Sequence, residues 1–320
     1  MKTALITGIG GQDGSYLSEH LLSLGYSVHG LLRPDGGRRT GLPAHLTGRL
    51  SLHETDLLDR DSLASLLGEI RPGEIYNLAG QSFVPAVAAD PARNGAIDWL
   101  AVESLLDAIR RTDPSMRFYQ ASTSEMFGSV AISPQDETTP FEPRNAYGEA
   151  KVHAHRLTVD ARAAGGLFAV SGILFNPESP RRGERFVTRK ITLGAARIAV
   201  GRQETLSLGN LDARRDWGFS GDYVRAMWMM LQRSDPRDYV VGTGEARSVR
   251  EFAAEAFSLL NLDWRRYVVE DEALRRTGEA DRLVADPRRA REELGWSPTV
   301  GFRDLVKMMI EADVERVKTE

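Results

Sequence analysis

Thr3-Ala-Leu-Ile-Thr7 runs straight into Gly8-Ile-Gly-Gly11-Gln-Asp-Gly14, and apolar residues then recur at helical spacing through Leu17, Leu21, Leu22 and Leu24. Strand, glycine turn and helix in that order leave few folds open, because the turn must bring the chain back over the face of a sheet. Gly8-x-x-Gly11-x-x-Gly14 differs from the G-x-G-x-x-G dinucleotide pattern but serves the same end. Backbone without side chains lets a pyrophosphate approach the N-terminus of the helix. Short apolar strands go on alternating with amphipathic helices through Ala121, as in a parallel doubly wound sheet. The expected class is α/β: a Rossmann-type doubly wound parallel sheet with a smaller, mostly C-terminal lobe.

A second strand, Ser27-Val-His-Gly-Leu-Leu-Arg33, ends on a cation where an NAD site would place a carboxylate for the ribose. Arg33 suits a 2′-phosphate, which points to NADP, with Arg38 and Arg39 as helpers. Asp56 and Leu57 follow a short strand and are candidates to meet the adenine. Ile75-Tyr-Asn-Leu78-Ala79-Gly80 offers another close backbone approach. The expected cofactor contacts are thus Gly8, Gly11, Gln12, Asp13, Gly14, Arg33, Asp56, Leu57, Leu78, Ala79 and Gly80, joined by Tyr147 and Lys151.

Tyr147 and Lys151 lie four apart, so a helix from Tyr147 to about Ala164 puts both on one face. A nearby ammonium favours a phenolate, which turns a phenol of pKa roughly 10 into a usable base. With eight tyrosines and five lysines in the chain, this spacing arises by chance roughly once in eight such sequences, so it needs the nucleotide signature beside it. Upstream, Ser122-Thr123-Ser124-Glu125 follows the strand Arg117-Phe-Tyr-Gln-Ala121. Active-site residues of open α/β sheets collect at such carboxyl ends. Glu125 adds a carboxylate that plain redox chemistry does not require.

These residues resemble the extended short-chain dehydrogenase/reductase family and, within it, the GDP-mannose 4,6-dehydratases. The stretches that carry the likeness are Thr7 to Tyr16, Gln81-Ser-Phe-Val84, Ala121-Ser-Thr-Ser-Glu-Met-Phe-Gly128, Glu178-Ser-Pro-Arg-Arg-Gly-Glu184, Phe186-Val-Thr-Arg-Lys-Ile191, Gly209-Asn-Leu-Asp212, Arg215-Asp-Trp-Gly218 and Leu294-Gly-Trp296. The resemblance implies a GDP-sugar substrate, GDP-mannose first, a tightly held NADP and a cytoplasmic homodimer or homotetramer. It also implies the catalytic set Thr123, Glu125, Tyr147 and Lys151. Tyr147 takes the proton of the sugar 4-hydroxyl with Thr123 on the same oxygen, and the C4 hydride goes to NADP. Glu125 removes the C5 proton and returns one to the departing C6 hydroxyl, and hydride return to C6 gives a 4-keto-6-deoxy sugar. Ser124 stands where dTDP-glucose dehydratases carry an Asp, which leaves both proton transfers to Glu125.

By the same resemblance Ser82, Glu125, Asn176, Glu178, Phe186, Val187 and Lys190 surround the sugar and guanine, while Arg215, Arg276 and Glu279 hold the diphosphate and ribose. Arg181, Arg182, Arg185, Arg189 and Lys190 crowd one segment, and guanidinium groups match phosphate oxygens. Pro177 and Phe219 depart from the family, which usually carries His there, as does Thr277-Gly278 between Arg276 and Glu279. Other readings stay open: a dehydratase of another GDP-sugar such as a heptose, a nucleotide-sugar C4 oxidoreductase or epimerase, or an NADP-binding scaffold. Ser104 to Arg111 and the Tyr147 helix are expected to form a dimer interface, by analogy alone.

With 320 residues, 42% of them apolar, the chain is long enough for one large core and a smaller lobe. The expected division is 1–175 for an NADP-binding domain, with 218–262 returning to it, and 176–217 with 263–320 for a nucleotide-sugar-binding lobe. The absence of Cys excludes disulfides and thiolate catalysis and fits a reducing cytoplasm. No stretch approaches the length of a membrane span, and no signal peptide is recognised. A net charge of −4 offers no general attraction to nucleic acid. The six histidines form no metal triad with carboxylates, so no metal is expected.

Overall fold

The computed structural model describes residues 2–34, 41–84, 87, 91–129, 131–275 and 282–320, without the side chains of 91–97 and 282. The first half runs β1 (Thr3–Thr7), α1 (Gln12–Ser23), β2 (Ser27–Leu32), β3 (Ser51–Glu54), α2 (Arg60–Ile70), β4 (Glu74–Asn77), α3 (Pro91–Thr112), β5 (Arg117–Thr123), α4 (Ala146–Ala163) and β6 (Phe168–Leu174). The second half adds β7 (Asn176–Glu178), α5 (Val187–Ala199), β8 (Leu206–Leu208), β9 (Arg214–Phe219), α6 (Ser220–Leu231), β10 (Tyr239–Val241), β11 (Ala246–Ser248), α7 (Val249–Ser258), β12 (Val268–Glu270), β13 (Arg282–Leu283), α8 (Arg288–Leu294) and α9 (Phe302–Thr319).

Seven strands form one sheet in the order β10-β6-β5-β4-β1-β2-β3, and every pairing is parallel. The order reverses between β1 and β4, which opens a crevice at their carboxyl ends. Alternation along β1 sends Ala4 and Ile6 to one face and Leu5 to the other. On the first face lie Leu17 and Leu21 of α1, Tyr223 and Met227 of α6 and Trp296 beyond α8. On the opposite face α2, α3 and α4 contribute Leu63, Leu67, Leu105, Ile109 and Ala154. The doubly wound expectation is therefore realised.

A second core gathers Ile191 of α5, Leu206 and Leu208 of β8, Trp217 of β9, Phe252 and Phe257 of α7, and Leu305 and Met309 of α9. Its small sheet sets β9 between β11 and β13, with β7 also on β9. Segment 218–262 is divided between the two cores: α6 and β10 join the large sheet, whereas α7 packs in the second core. In the other direction, Ala290 and Leu294 of α8 and Trp296 join the first core. α7 and α8 thus pack away from their neighbours in sequence, because each helix follows its own apolar face rather than chain position. Among the described residues, no helix is long and apolar enough to cross a membrane.

Candidate active site

A cleft of about 1000 Å³ opens at the carboxyl ends of β4, β5 and β6 and extends between the two cores. Thr123, Glu125, Tyr147 and Lys151 all line it, as do Asp13, Leu78, Gly80, Ser82, Asn176, Glu178, Val187, Lys190 and Arg215. A shallower groove of about 760 Å³, beside Trp264 and Phe302, contains none of these residues.

The floor is set by strand register. Thr7, Asn77 and Gln120 are neighbours across β1, β4 and β5, and their side chains form a buried row. Thr7 Oγ1 donates to Asn77 Oδ1 at 2.6 Å, and Asn77 Nδ2 donates to Gln120 Oε1 at 2.7 Å. The Ala79 amide donates to Thr7 Oγ1, which ties the Leu78-Ala79-Gly80 turn to β1. At the glycine turn Gly8 adopts φ +66°, and a β-carbon there would lie 2.7 Å from the Leu78 carbonyl oxygen. Gly11 precedes α1 with no side-chain cap, so the first amides of the helix remain for an anion. Arg33 is exposed at the end of β2. Asp56 is exposed as well, its carboxylate accepting from the Leu58 amide, and Leu57 packs on the α2–α3 core. This cradle fits a dinucleotide carrying a diphosphate.

Gln12 has a task that the sequence did not disclose. Its Nε2 donates to the Pro177 carbonyl at 2.9 Å, and its Oε1 accepts from Ser179 Oγ at 2.8 Å, which joins the glycine turn to β7. Asp13 accepts from Ser220 Oγ at 2.6 Å, and burial pushes its carboxyl above the usual range.

Tyr147 and Lys151 share the buried face of α4, with Lys151 Nζ 5.8 Å from the phenol ring centroid and donating to the Ala121 carbonyl. Burial pushes the Tyr147 phenol well above its ordinary value, the charges of Asp98 and Glu125 add to the shift, and Thr123 and Arg182 oppose it. The Lys151 ammonium also faces Asp98.

Glu125 sits in the turn Ser124–Met126 that follows β5, with its amide donating to Thr123 Oγ1. Asn145, the residue before α4, holds its side chain. Asn145 Nδ2 donates to Glu125 Oε2 at 2.9 Å, while Asn145 Oδ1 accepts from the Gly148 amide at 2.8 Å and caps the helix. A β-carbon at Gly148 would lie 2.7 Å from the Glu125 carbonyl oxygen, so that close approach needs glycine. Asn145 was missed as a site residue, although an Asn just before a helical run is a recognisable cap signal.

On the far side the cluster of cations divides. Arg182 and Arg185 line the cleft together with Lys190, whose ammonium burial pushes below its ordinary value. Arg182 stacks on Phe186, 3.5 Å from the ring centroid, and pairs with the buried Glu178 at 3.2 Å. Glu178 also accepts from Thr188 Oγ1, and burial raises its carboxyl. Arg181 turns away to Ser15, Glu19 and the Tyr16 ring, and Arg189 is buried against Asp313. Of the five cations expected to crowd a diphosphate, two are thus turned away, Arg181 by its bonds to α1 and Arg189 because it falls on the packed face of α5. Phe219 packs edge-on against Tyr16. Arg276, Glu279, Thr277, Gly278, Arg38 and Arg39 lie outside the described residues. Among the described residues, no group of three or more His, Asp or Glu is placed to hold a metal ion.

The family model described as GDP-mannose 4,6 dehydratase matches residues 5–309. The chain is 50% identical to GDP-mannose 4,6 dehydratase 2 of Arabidopsis thaliana, over 100% of this chain and 88% of that protein. It is 46% identical to the GDP-mannose 4,6 dehydratase of Homo sapiens, over 99% of this chain and 93% of that one. Among solved structures, RMD from Pseudomonas aeruginosa, complexed with NADPH, superposes with a TM-score of 0.83 at 25% identity, covering 99% of this chain and 100% of that one. DesIV, a dTDP-glucose 4,6-dehydratase of Streptomyces venezuelae, gives 0.86 at 23% identity over 99% and 98% of the two chains, a likeness of fold. Sequence, fold and the convergence of Thr123, Glu125, Tyr147 and Lys151 on one cleft agree: the chain belongs to the GDP-mannose 4,6-dehydratase family.

Proposed function

We propose that this chain is a lyase that converts GDP-mannose to GDP-4-keto-6-deoxymannose, with NADP as a regenerated cofactor. The observation that carries the reading is the Asn145–Glu125 hydrogen bond, which fixes a carboxylate at the cleft shared with Tyr147 and Lys151. An oxidoreductase or C4 epimerase has no use for that carboxylate.

Gly8, Gly11 and Gly14 admit the NADP diphosphate, and Arg33 meets its 2′-phosphate. Held there, NADP would supply the hydride acceptor for C4 of the sugar and the hydride donor for C6, with none consumed. Tyr147 Oη takes the proton of the 4-hydroxyl, with Thr123 Oγ1 hydrogen-bonded to the same oxygen. The resulting ketone acidifies the C5 proton, which Glu125 removes. Glu125 then delivers a proton to the C6 hydroxyl, which leaves as water. Ser82, Asn176, Val187 and Lys190 surround the sugar and base, and Arg215 faces the diphosphate. Glu178 supports this wall through Arg182. In this reading residues 176–217 and the C-terminal segment supply the nucleotide-sugar side, and the protein works as a cytoplasmic homo-oligomer.

Incubation with GDP-mannose and catalytic NADP, followed by mass analysis of the sugar nucleotide, tests this. Loss of one water without net NADPH supports the assignment. An unchanged sugar nucleotide refutes the substrate, and a panel of other GDP-sugars then identifies the alternative. Glu125→Gln is expected to lower water loss by about 10²- to 10⁴-fold while C4 oxidation continues, so NADPH absorbance rises to one equivalent per site and stays. An enzyme that loses water at the normal rate without Glu125 is not using this mechanism.

A further inference from the structure

Asp98 is the buried charge that the reaction scheme leaves unused. It lies on α3, only 2% exposed, and among the described residues neither carboxylate oxygen has a hydrogen bond of normal geometry. A carboxylate withdrawn from water with so few partners is costly, and such sites persist where the charge has a task. Three elements converge on it. A β-carbon at Gly80 would lie 2.4 Å from Asp98 Oδ1 and 3.3 Å from Lys151 Nζ, so the turn after β4 leaves room for carboxylate and ammonium to face each other. Lys151 Nζ is anchored by the Ala121 carbonyl at the end of β5. From α4, the Tyr147 ring lies with its centroid 5.8 Å from the same ammonium.

We propose that Asp98 is a positioning residue for the acid/base pair: its carboxylate shares the Lys151 ammonium with Tyr147 and receives the proton that Tyr147 must release before it can act as a base. This rests on the reading of Tyr147 as the base for the 4-hydroxyl. The step balances within the cluster. A hydroxyl at Tyr147 with a carboxylate at Asp98 becomes a phenolate at Tyr147 with a carboxyl at Asp98. The O–H bond of Tyr147 breaks, an O–H bond forms at Asp98, and Lys151 stays an ammonium after passing the proton along. Total charge is the same before and after, so no charge has to leave a buried site. Burial raises the Asp98 carboxyl toward accepting a proton, with Lys151 and the Gln81 amide opposing. Burial and then the Asp98 charge raise Tyr147 against releasing one, and that second contribution vanishes once Asp98 is protonated. Glu125 and Arg182 are the other charges that face Tyr147, with opposite effects.

Asp98→Asn keeps the shape and removes the charge. Tyrosinate absorbance of the protein alone, taken as the difference from the matching Tyr147→Phe chain, reads Tyr147 directly without substrate or cofactor. Tyr147 is expected to ionise lower in Asp98→Asn by about one unit or more, a tenfold larger phenolate fraction at a given pH. With substrate, C4 oxidation by the unmodified chain is expected to vary little with pH between the Asp98 and Tyr147 ionisations. Asp98→Asn is expected to show a rate that climbs with pH, since the proton must then go to solvent. A Tyr147 midpoint unmoved within 0.2 unit, roughly the resolution of such a titration, overturns the proposal. So does a pH profile of unchanged shape that is merely lower. Should Asp98→Asn fail to fold, Lys151→Met reads the shared cation from the other side. With Asp98 charged and no ammonium between, Tyr147 ionises later still, and an unmoved midpoint overturns the sharing. The titration needs no substrate, so its outcome does not depend on which sugar the enzyme takes.

Discussion

Asn145 does two things with one amide, and two substitutions separate them. Alanine removes both the cap on Gly148 and the donor to Glu125. Serine keeps a capping oxygen but is too short to reach the carboxylate. Losing an Asn cap costs about 1 kcal/mol, a fall in midpoint of about 1.5 °C for a chain of this size. Serine is expected to recover nearly all of it. The second bond is to a charged acceptor and carries about 1.5–3 kcal/mol, reduced to about 1–2 because both partners are partly exposed. Elimination is therefore expected to slow by about 5- to 30-fold in both variants. Thermal melts and single-turnover water loss, read by mass, form the assay. C4 oxidation, followed through NADPH, stays near normal. Normal water loss in Asn145→Ser, or an equal loss of oxidation and elimination, refutes the idea that Asn145 aims Glu125.

Two further outcomes concern stability. His29 Nδ1 and His53 Nε2 lie 2.9 Å apart on neighbouring strands, and burial followed by the His53 charge pushes His29 below its ordinary value. The fold favours neutral His29, so its contribution is whole above about pH 6.5 and is lost as pH falls from there toward the lower folded value. The drop in urea midpoint between pH 7.5 and 5.5 is expected to shrink in His29→Gln, and an unchanged drop refutes this. Asp313→Ala leaves Arg189 buried without its partner, since Asp313 accepts from Arg189 and from Thr192 Oγ1. A loss of about 3–5 kcal/mol is expected in urea unfolding, and less than about 1 kcal/mol refutes a stabilising role.

What could be read from sequence depended on whether a local rule placed the side chain. The glycine turn, the Tyr147–Lys151 face and the end of β5 follow from chain-local geometry, and Thr123 and Glu125 were legible there. Asp98 was not: an Asp on a long helix reads as solvated until α3 is seen to pack beside α4. Gln12 sits inside the recognised motif, yet its bonds run to residues 177 and 179, which only the tertiary fold brings near. Arg189 looked like its neighbours Arg185 and Lys190, and helix phase alone took it out of the cleft. The cores that α7 and α8 join were not legible either, because each helix belongs to whichever core covers its apolar stripe.

Trp296 lies on the first face of the large sheet, edge-on to Tyr223 and with its indole N–H donating to the Asp222 carbonyl. Asp222 in turn takes the amides of Thr299 and Val300. Side chains nearly three hundred residues after β1 thus close the same layer that Leu17 and Leu21 begin. The cofactor half is consequently not excisable: a fragment ending at 175 would leave that layer open to water. During synthesis part of that apolar face waits uncovered until Trp296 has emerged from the ribosome.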